Sequence, residues 1–318
     1  METGLAKVED SVELALLERA ADYVSECAAP NTKRAYASDF RRFAAWCRQA
    51  GVQPLPASVG TCAAYFSGMA DAGRKASTID RARAAIKMAH ETAGHADPTS
   101  HKHVKLALKG IRRKLGTAHA RKSPVLLQDV KAMLESLPDG LIGLRDRALL
   151  LLGFAGAFRR SELVGIDREH LEETAEGVKV CLPRSKTDQE GQGRCIGIRR
   201  GANPSTCPVR ALLAWVEAAG IESGPVFRHV DRHGNVKDRM TAQSVALVVK
   251  KAAVAAGLDP AKYSGHSLRA GLVTQGALNG ATETNIMRQT GHRSHATVRG
   301  YVRIANVFQD NVSGQLGL

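Results

Sequence analysis

The sequence predicts a mainly α-helical protein of two domains, the second carrying a small antiparallel sheet. Apolar residues recur at three- and four-residue spacing through most of the 318 positions, which is the helical period. Strand-like alternation is confined to one pair of segments near residues 178–199. Charge changes abruptly along the chain: residues 1–30 hold 2 basic and 7 acidic residues, 31–122 hold 18 and 5, and 123–318 hold 25 and 19. The formal net charge is +14, and almost all of it belongs to the middle stretch. A chain of this length divides comfortably into two domains of ordinary size.

The first expected helix, residues 11–29, repeats Val12, Leu16, Ala20, Tyr23 and Val24 and stops before Pro30. Asn31 or Thr32 caps a second, which ends at Gly51. Tyr36, Phe40, Phe43 and Cys47 form its apolar face, and Lys33, Arg34, Arg41, Arg42 and Arg48 its cationic one. Pro56 and Ser58 open a third helix through Tyr65, Phe66 and Met69 to Gly73. Ser77 opens a fourth, to Thr92, with Ile79, Ala82, Ile86 and Ala89 inward and Arg81, Arg83 and Lys87 outward. A fifth, residues 100–115, sets Val104, Leu108 and Ile111 against Lys102, Lys105, Lys109, Arg112, Arg113 and Lys114. Residues 116–124 are small, polar and closed by a proline, so they read as a linker between domains 1–115 and 125–318.

In the second domain the pattern predicts helices at 127–137 and 141–157, then strands at 178–183 and 195–199 around a polar loop. Helices follow at 208–219, 242–256, 267–278, 283–289 and 296–305.

Several classes are excluded. The longest apolar run, residues 148–158 between Arg147 and Arg159, is too short to span a bilayer and suits a buried helix. The acidic start lacks a basic stretch followed by an apolar core, so no secretory signal or membrane contact is expected and the cytoplasm is the expected compartment. Cys27, Cys47, Cys62, Cys181, Cys195 and Cys207 show neither a CxxC pair nor zinc spacing, and we expect them to be reduced packing residues. Solvated helix faces mix signs. A stretch with 18 basic and 5 acidic residues gives up that pairing and points to a nucleic acid.

Four features of the second domain are ordinary singly and informative together. Phe158-Arg159-Arg160-Ser161-Glu162-Leu163 follows the apolar run; Lys186 lies on the hairpin; His266 and Arg269 stand one turn apart; and Gly291-His292 is followed nine residues later by Tyr301. Two arginines can clamp a phosphate, two histidines and a lysine can move protons, and a phenol can attack phosphorus. No run of carboxylates suited to holding two metals is visible, so the set suits phosphoryl transfer assisted by side-chain cations.

Arg159 in AFRRSEL, Lys186 in RSKTD, His266 and Arg269 in HSLR, His292 in TGHRS and Tyr301 in VRGYVR stand in order and in kind as in the tyrosine recombinases, the phage integrase family. The chain resembles that family over about residues 12–318, particularly its simple Cre-like members. Phe158 stands where leucine is usual, a packing change only.

The resemblance implies a two-domain clamp on double-stranded DNA, with a helical SAM-like core-binding domain and a mostly helical catalytic domain. It implies site-specific recombination through a 3′-phosphotyrosyl intermediate and a Holliday junction, with no metal, ATP or other cofactor. Tyr301 would be the nucleophile, His266 the base, Lys186 the acid, and Arg159, Arg269 and His292 the phosphate ligands, with Glu162 orienting a neighbour. Arg41, Arg42, Arg81, Arg83 and Lys87 would contact DNA. A tail with Val307, Phe308, Val312 and Leu316 at helical spacing would join a homo-tetramer on two DNA sites in the nucleoid. A non-catalytic DNA-binding regulator and a type IB topoisomerase-like enzyme are the competing expectations.

Overall fold

The computed structural model describes residues 29–117, 122–183 and 193–305, together with Leu316. The chain divides between Ala120 and Arg121 into two compact units.

The first unit contains α1 (Pro30–Gln49), α2 (Val59–Asp71), α3 (Ala76–Thr92) and α4 (Lys102–Leu115). The expected helix at 11–29 lies outside the described residues except for Ala29, which caps α1. α1 starts at Pro30 rather than after Asn31, because proline's fixed φ suits the first helical position. Phe43, Cys47, Cys62, Phe66, Ile79, Ile86, Val104 and Leu108 form its core, with the Phe43 and Tyr65 rings edge to face at 5.0 Å. Buried His90 joins α3 to the entry of α2: the Ala57 N–H donates to Nε2 and Nδ1–H donates to the Ile86 carbonyl, each at 2.8 Å. The expected cationic faces are partly redrawn, because Arg83 is half-buried on α3, with its Nε shielded from solvent.

The second unit begins with α5 (Leu127–Glu135), α6 (Gly140–Ala155) and α7 (Arg160–Val164). Strands β1 (Leu171–Glu173), β2 (Gly177–Leu182) and β3 (Arg194–Arg199) form an antiparallel sheet in that order. Then come α8 (Pro208–Ala218), the hairpin β4 (Arg228–Val230) and β5 (Val236–Arg239), α9 (Ala242–Ala255), α10 (Ser267–Leu278), α11 (Glu283–Thr290) and α12 (His295–Ala305). Four consecutive residues, Leu149 to Leu152, are buried, so the second half of α6 is enclosed on all sides and serves as the axis of the core. Val178, Val180 and Leu182 of β2 and Ile196 and Ile198 of β3 turn into the same core. The indole N–H of Trp215 donates to the Val226 carbonyl at 2.8 Å.

Three differences from the sequence reading have physical causes. β1, β4 and β5 were not expected, because three- and four-residue strands carry too few side chains to show alternation. Cys181 and Cys195 are not reduced: they face each other directly across β2 and β3 with Cα atoms 4.0 Å apart and are joined as a disulfide. Cys47, Cys62 and Cys207 are free and buried. The end of the expected linker lies on the second unit, where the Ser123 N–H donates to the Lys262 carbonyl and the Val125 N–H to the Ser267 carbonyl. Gly271 permits that seat, since a Cβ there would fall 1.9 Å from the Val125 carbonyl oxygen. No helix among the described residues is long and apolar enough to cross a membrane.

Candidate active site

The site begins where α6 stops. The helix was expected to reach residue 157, but it ends at Ala155, and Ala157 takes a positive φ of 49°. Gly156 lets the chain fold back, because a Cβ there would fall 2.1 Å from Cε2 of the Phe158 ring. This turn does two things. It directs the Ala157 carbonyl toward Arg269, whose Nη1 donates to it at 2.7 Å, and it places Arg159 as the cap of α7.

Arg159 grips Glu162 twice, through its backbone N–H at 2.9 Å and through its guanidinium. Glu162 also accepts from Nη2 of Arg194 at 3.2 Å. Burial would raise the Glu162 carboxyl, but the Arg159 N–H, the Arg159 guanidinium and Arg194 together outweigh it and hold the group below the usual carboxylate range. Glu162 therefore fixes two cations as a buried anion.

Arg194, the first residue of β3, was missed by the sequence reading. Its Nη1 donates to the Gln289 carbonyl at 3.4 Å, and it lies against Gly291, where a Cβ would meet Nη1 at 2.5 Å. Burial lowers its guanidinium, with Arg159 adding to the effect and Glu162 opposing it. One further cation in a chain with 45 carries no mark of its own; its place at the base of the Lys186 hairpin is the signal that could have found it.

Arg269 is 2% exposed. Burial, then the nearby Arg159, bring its guanidinium down to about 10. Its Nη2 and the Nε of Arg194 are buried without a hydrogen-bond partner. Buried orphan donors are costly, and a bound anion would satisfy them. His292 is brought down to about 4, by burial first and then by Arg269 and Arg159. The Thr290 hydroxyl donates to the Ile286 carbonyl at 2.7 Å, so it accepts from Nδ1–H of His292, also at 2.7 Å. The free ring thus turns an unprotonated Nε2 away from Thr290.

Tyr301 comes from α12, which is seated by fully buried Val298 against Val273 and Ile286 and by Glu283 accepting from Arg299. The Tyr301 hydroxyl stands 2.9 Å from Nε2 of His266, the residue that caps α10. Lys122, Ser264, His266, Ala296, Thr297 and Tyr301 line a cleft of about 470 Å³. Arg159, His266, Arg269, His292 and Tyr301 thus come together. Lys186 lies outside the described residues, while the strands on either side of it, β2 and β3, are in register. Among the described residues no group of His, Cys, Asp and Glu side chains could hold a metal ion.

Of the cations expected at DNA, Arg41 and Arg42 are exposed on α1, and Lys87 is 3.5 Å from Glu91. Arg81 is exposed but engaged with Asp39. Arg83 is turned partly inward.

The sequence pattern described as "Phage integrase family" matches residues 125–306, and that of the "Phage integrase, N-terminal SAM-like domain" matches residues 20–95. The chain belongs to the phage integrase family. The "Integrase/recombinase xerD homolog" of Selenomonas ruminantium is 40% identical over 316 residues, 98% of this chain and 92% of the relative. "Tyrosine recombinase XerD" of Chlorobaculum tepidum is 26% identical over 293 residues, 87% of each chain. A lambda integrase dimer bound to a COC′ core site shares the fold with a TM-score of 0.61 at 15% identity, over 95% of this chain and 81% of that one. The Tn1549 transposon integrase in complex with circular intermediate DNA does so with a TM-score of 0.60 at 15% identity, over 86% and 90%. As a tyrosine recombinase, the protein is an enzyme that cleaves and rejoins DNA.

Proposed function

We propose that the protein is a site-specific recombinase that exchanges strands through a covalent bond between Tyr301 and a DNA 3′-phosphate. The observation that carries this reading is the 2.9 Å contact between the Tyr301 hydroxyl and His266 Nε2 beside a cluster of arginines with unpartnered donors. A phenol with an ordinary pKa of about 10 needs a base or a strong electrostatic pull at neutral pH. His266 takes the phenolic proton as the oxygen attacks phosphorus. The bond to the 5′-oxygen breaks, and Lys186 delivers the proton that leaves a 5′-hydroxyl. Attack by the 5′-hydroxyl of a partner strand reverses the step, releases tyrosine and builds a Holliday junction.

Arg159 and Arg269 hold the non-bridging oxygens and stabilise the charge that grows on them; loss of such a donor typically costs about 3–4 kcal/mol of barrier. Glu162 keeps Arg159 in place without touching substrate. His292 lies on the same phosphate. It is neutral before DNA arrives, and the phosphate's charge favours its protonated, donating form. The substrate is double-stranded DNA bearing a defined site, bound by the basic first unit and by the catalytic unit, in the cytoplasm. The tail, described only at exposed Leu316, joins neighbouring subunits into a tetramer on two sites.

The test is denaturing capture of the protein from cells and sequencing of DNA still attached. Wild-type protein should carry covalently bound 3′ ends from one recurring sequence, and Tyr301→Phe none. Equal recovery with Tyr301→Phe would remove Tyr301 as the nucleophile. Tight, specific DNA binding with no adduct under any condition would make the protein a regulator, and relaxation of a plasmid that lacks the site would make it a topoisomerase.

A further inference from the structure

Within the first unit, α1 buries a carboxylate on the helix that carries Arg41 and Arg42. Asp39 accepts from Nε of Arg81 at 2.6 Å and from Nη2 at 3.1 Å, and Nη1 of Arg42 stands 3.5 Å away. Arg81 comes from α3, so the bond spans two helices. Its two ends are unequally placed: the Asp39 side chain is 4% exposed and the Arg81 side chain 47%. The anion is spent inside while the cation faces solvent, so the pair presents a positive group of fixed direction.

The geometry of the fork says what that group can do. Asp39 takes the guanidinium from the side, through Nε and Nη2. The remaining edge, one N–H each from Nη1 and Nη2, is left as two parallel donors on a side chain that is 47% exposed. That edge matches O6 and N7 of guanine in the major groove, the commonest specific contact between an arginine and a base. A phosphate accepts from many directions, so an unrestrained lysine or arginine suffices for it. A base edge requires the donor plane to be aimed, and a plane already fixed loses less freedom on binding. Thr78 lies about one turn ahead of Arg81 on the same side of α3, and Arg74 lies just before the helix. With Arg42 they border an open cleft of about 430 Å³ whose lining includes Asp39.

We infer that Asp39 aims Arg81 as a base-reading side chain, selecting a guanine at one position of the bound DNA site. The inference rests on the site-specific reading above and adds the residue pair that sets part of its sequence preference. Asp39 is a positioning residue; Arg81 makes the contact.

The experiment is selection of binding sites from a random duplex library by the full-length wild-type chain and by Arg81→Ala, Arg81→Lys, Asp39→Asn and Arg41→Ala, each checked for folding by its thermal melt. The wild type should enrich one sequence with a guanine favoured roughly 5- to 150-fold at the Arg81 position. Arg81→Ala should bring that preference near onefold and leave the other positions unchanged, and Arg81→Lys, which can still donate to guanine but has no fixed plane, should reduce it. Arg81→Lys keeps the charge, so it should also keep the slope of log affinity against log salt. Asp39→Asn should fall in between. Arg41→Ala should weaken all sequences alike and reduce the salt slope by about one, as loss of a phosphate contact does. If both Arg81 variants enrich the same bases as the wild type at every position, or Asp39→Asn leaves the preference intact, the inference is overturned. If the wild type enriches no sequence, the site-specific reading itself fails and this inference falls with it.

Discussion

Replacing Glu162 by glutamine isolates the charge that the active site is built around. The amide has the carboxylate's shape, so the variant opens no cavity, but it presents an NH₂ group to Arg159 or Arg194 where an acceptor stood. Removing one member of a buried ion pair costs about 3–5 kcal/mol, because the remaining charge stays buried and unpaired. Arg159 and Arg194 retain 16% and 19% side-chain exposure, so water recovers part of that cost and we expect about 2–4 kcal/mol. The sign with pH follows from the carboxyl being held below its ordinary value of 4.5. The stabilisation is present above 4.5 and is lost as pH falls through the lower folded-state value. Urea denaturation of free wild-type and Glu162→Gln protein at pH 7 should therefore show the 2–4 kcal/mol difference with an unchanged m-value. The difference should shrink as the buffer is taken below pH 4.5. A variant within about 0.5 kcal/mol of wild type at pH 7, or a difference indifferent to acid, would refute the claim that Glu162 balances the two arginines.

His292, brought from 6.5 to about 4, resists protonation in the fold, so it contributes stability above pH 6.5 that is lost as pH falls toward 4. A fully buried ring would contribute about 3 kcal/mol; partial exposure screens this to about 1–2 kcal/mol. A His292→Gln variant should lack that part of the pH dependence, and parallel wild-type and variant curves across the window would contradict it. Lys186→Ala should cleave poorly on ordinary DNA and recover where sulfur replaces the leaving 5′-oxygen, since a thiolate leaves without a proton; an equal defect on both substrates removes Lys186 as the acid. Gly271→Ala drives a methyl to 1.9 Å from the Val125 carbonyl oxygen and should cost at least about 1–3 kcal/mol in urea, whereas unchanged stability would mean that the seat of residues 122–126 yields freely.

The helices were legible where a local period records which side is buried. The apolar run at 148–158 announces α6 because a helix enclosed on all sides needs no polar face. The run could not show that the helix stops two residues early, since the Ala157 turn depends on the Phe158 ring folding onto Gly156. Contacts made across the fold leave no local trace. Cys181 and Cys195 are 14 residues apart and meet only through strand register, and Arg194 acquires its place from Glu162 and Gln289, each on a different element. Arg83 looked like another outward cation because periodicity counts positions and not the direction in which a long side chain bends. The candidate residues for phosphate chemistry stood out for another reason: their types are unusual in combination, and four of them, Arg159, His266, His292 and Tyr301, sit beside glycines or at a helix start.

The most direct test of the covalent mechanism is to trap the protein on a duplex carrying its selected site and a nick that lets the 5′-hydroxyl fragment diffuse away. Protease digestion and mass spectrometry then locate the DNA. The account predicts a 3′-phosphate ester on the peptide containing Tyr301, with a free 5′-hydroxyl on the released fragment. DNA attached to any other residue, or joined through its 5′ end, would contradict it.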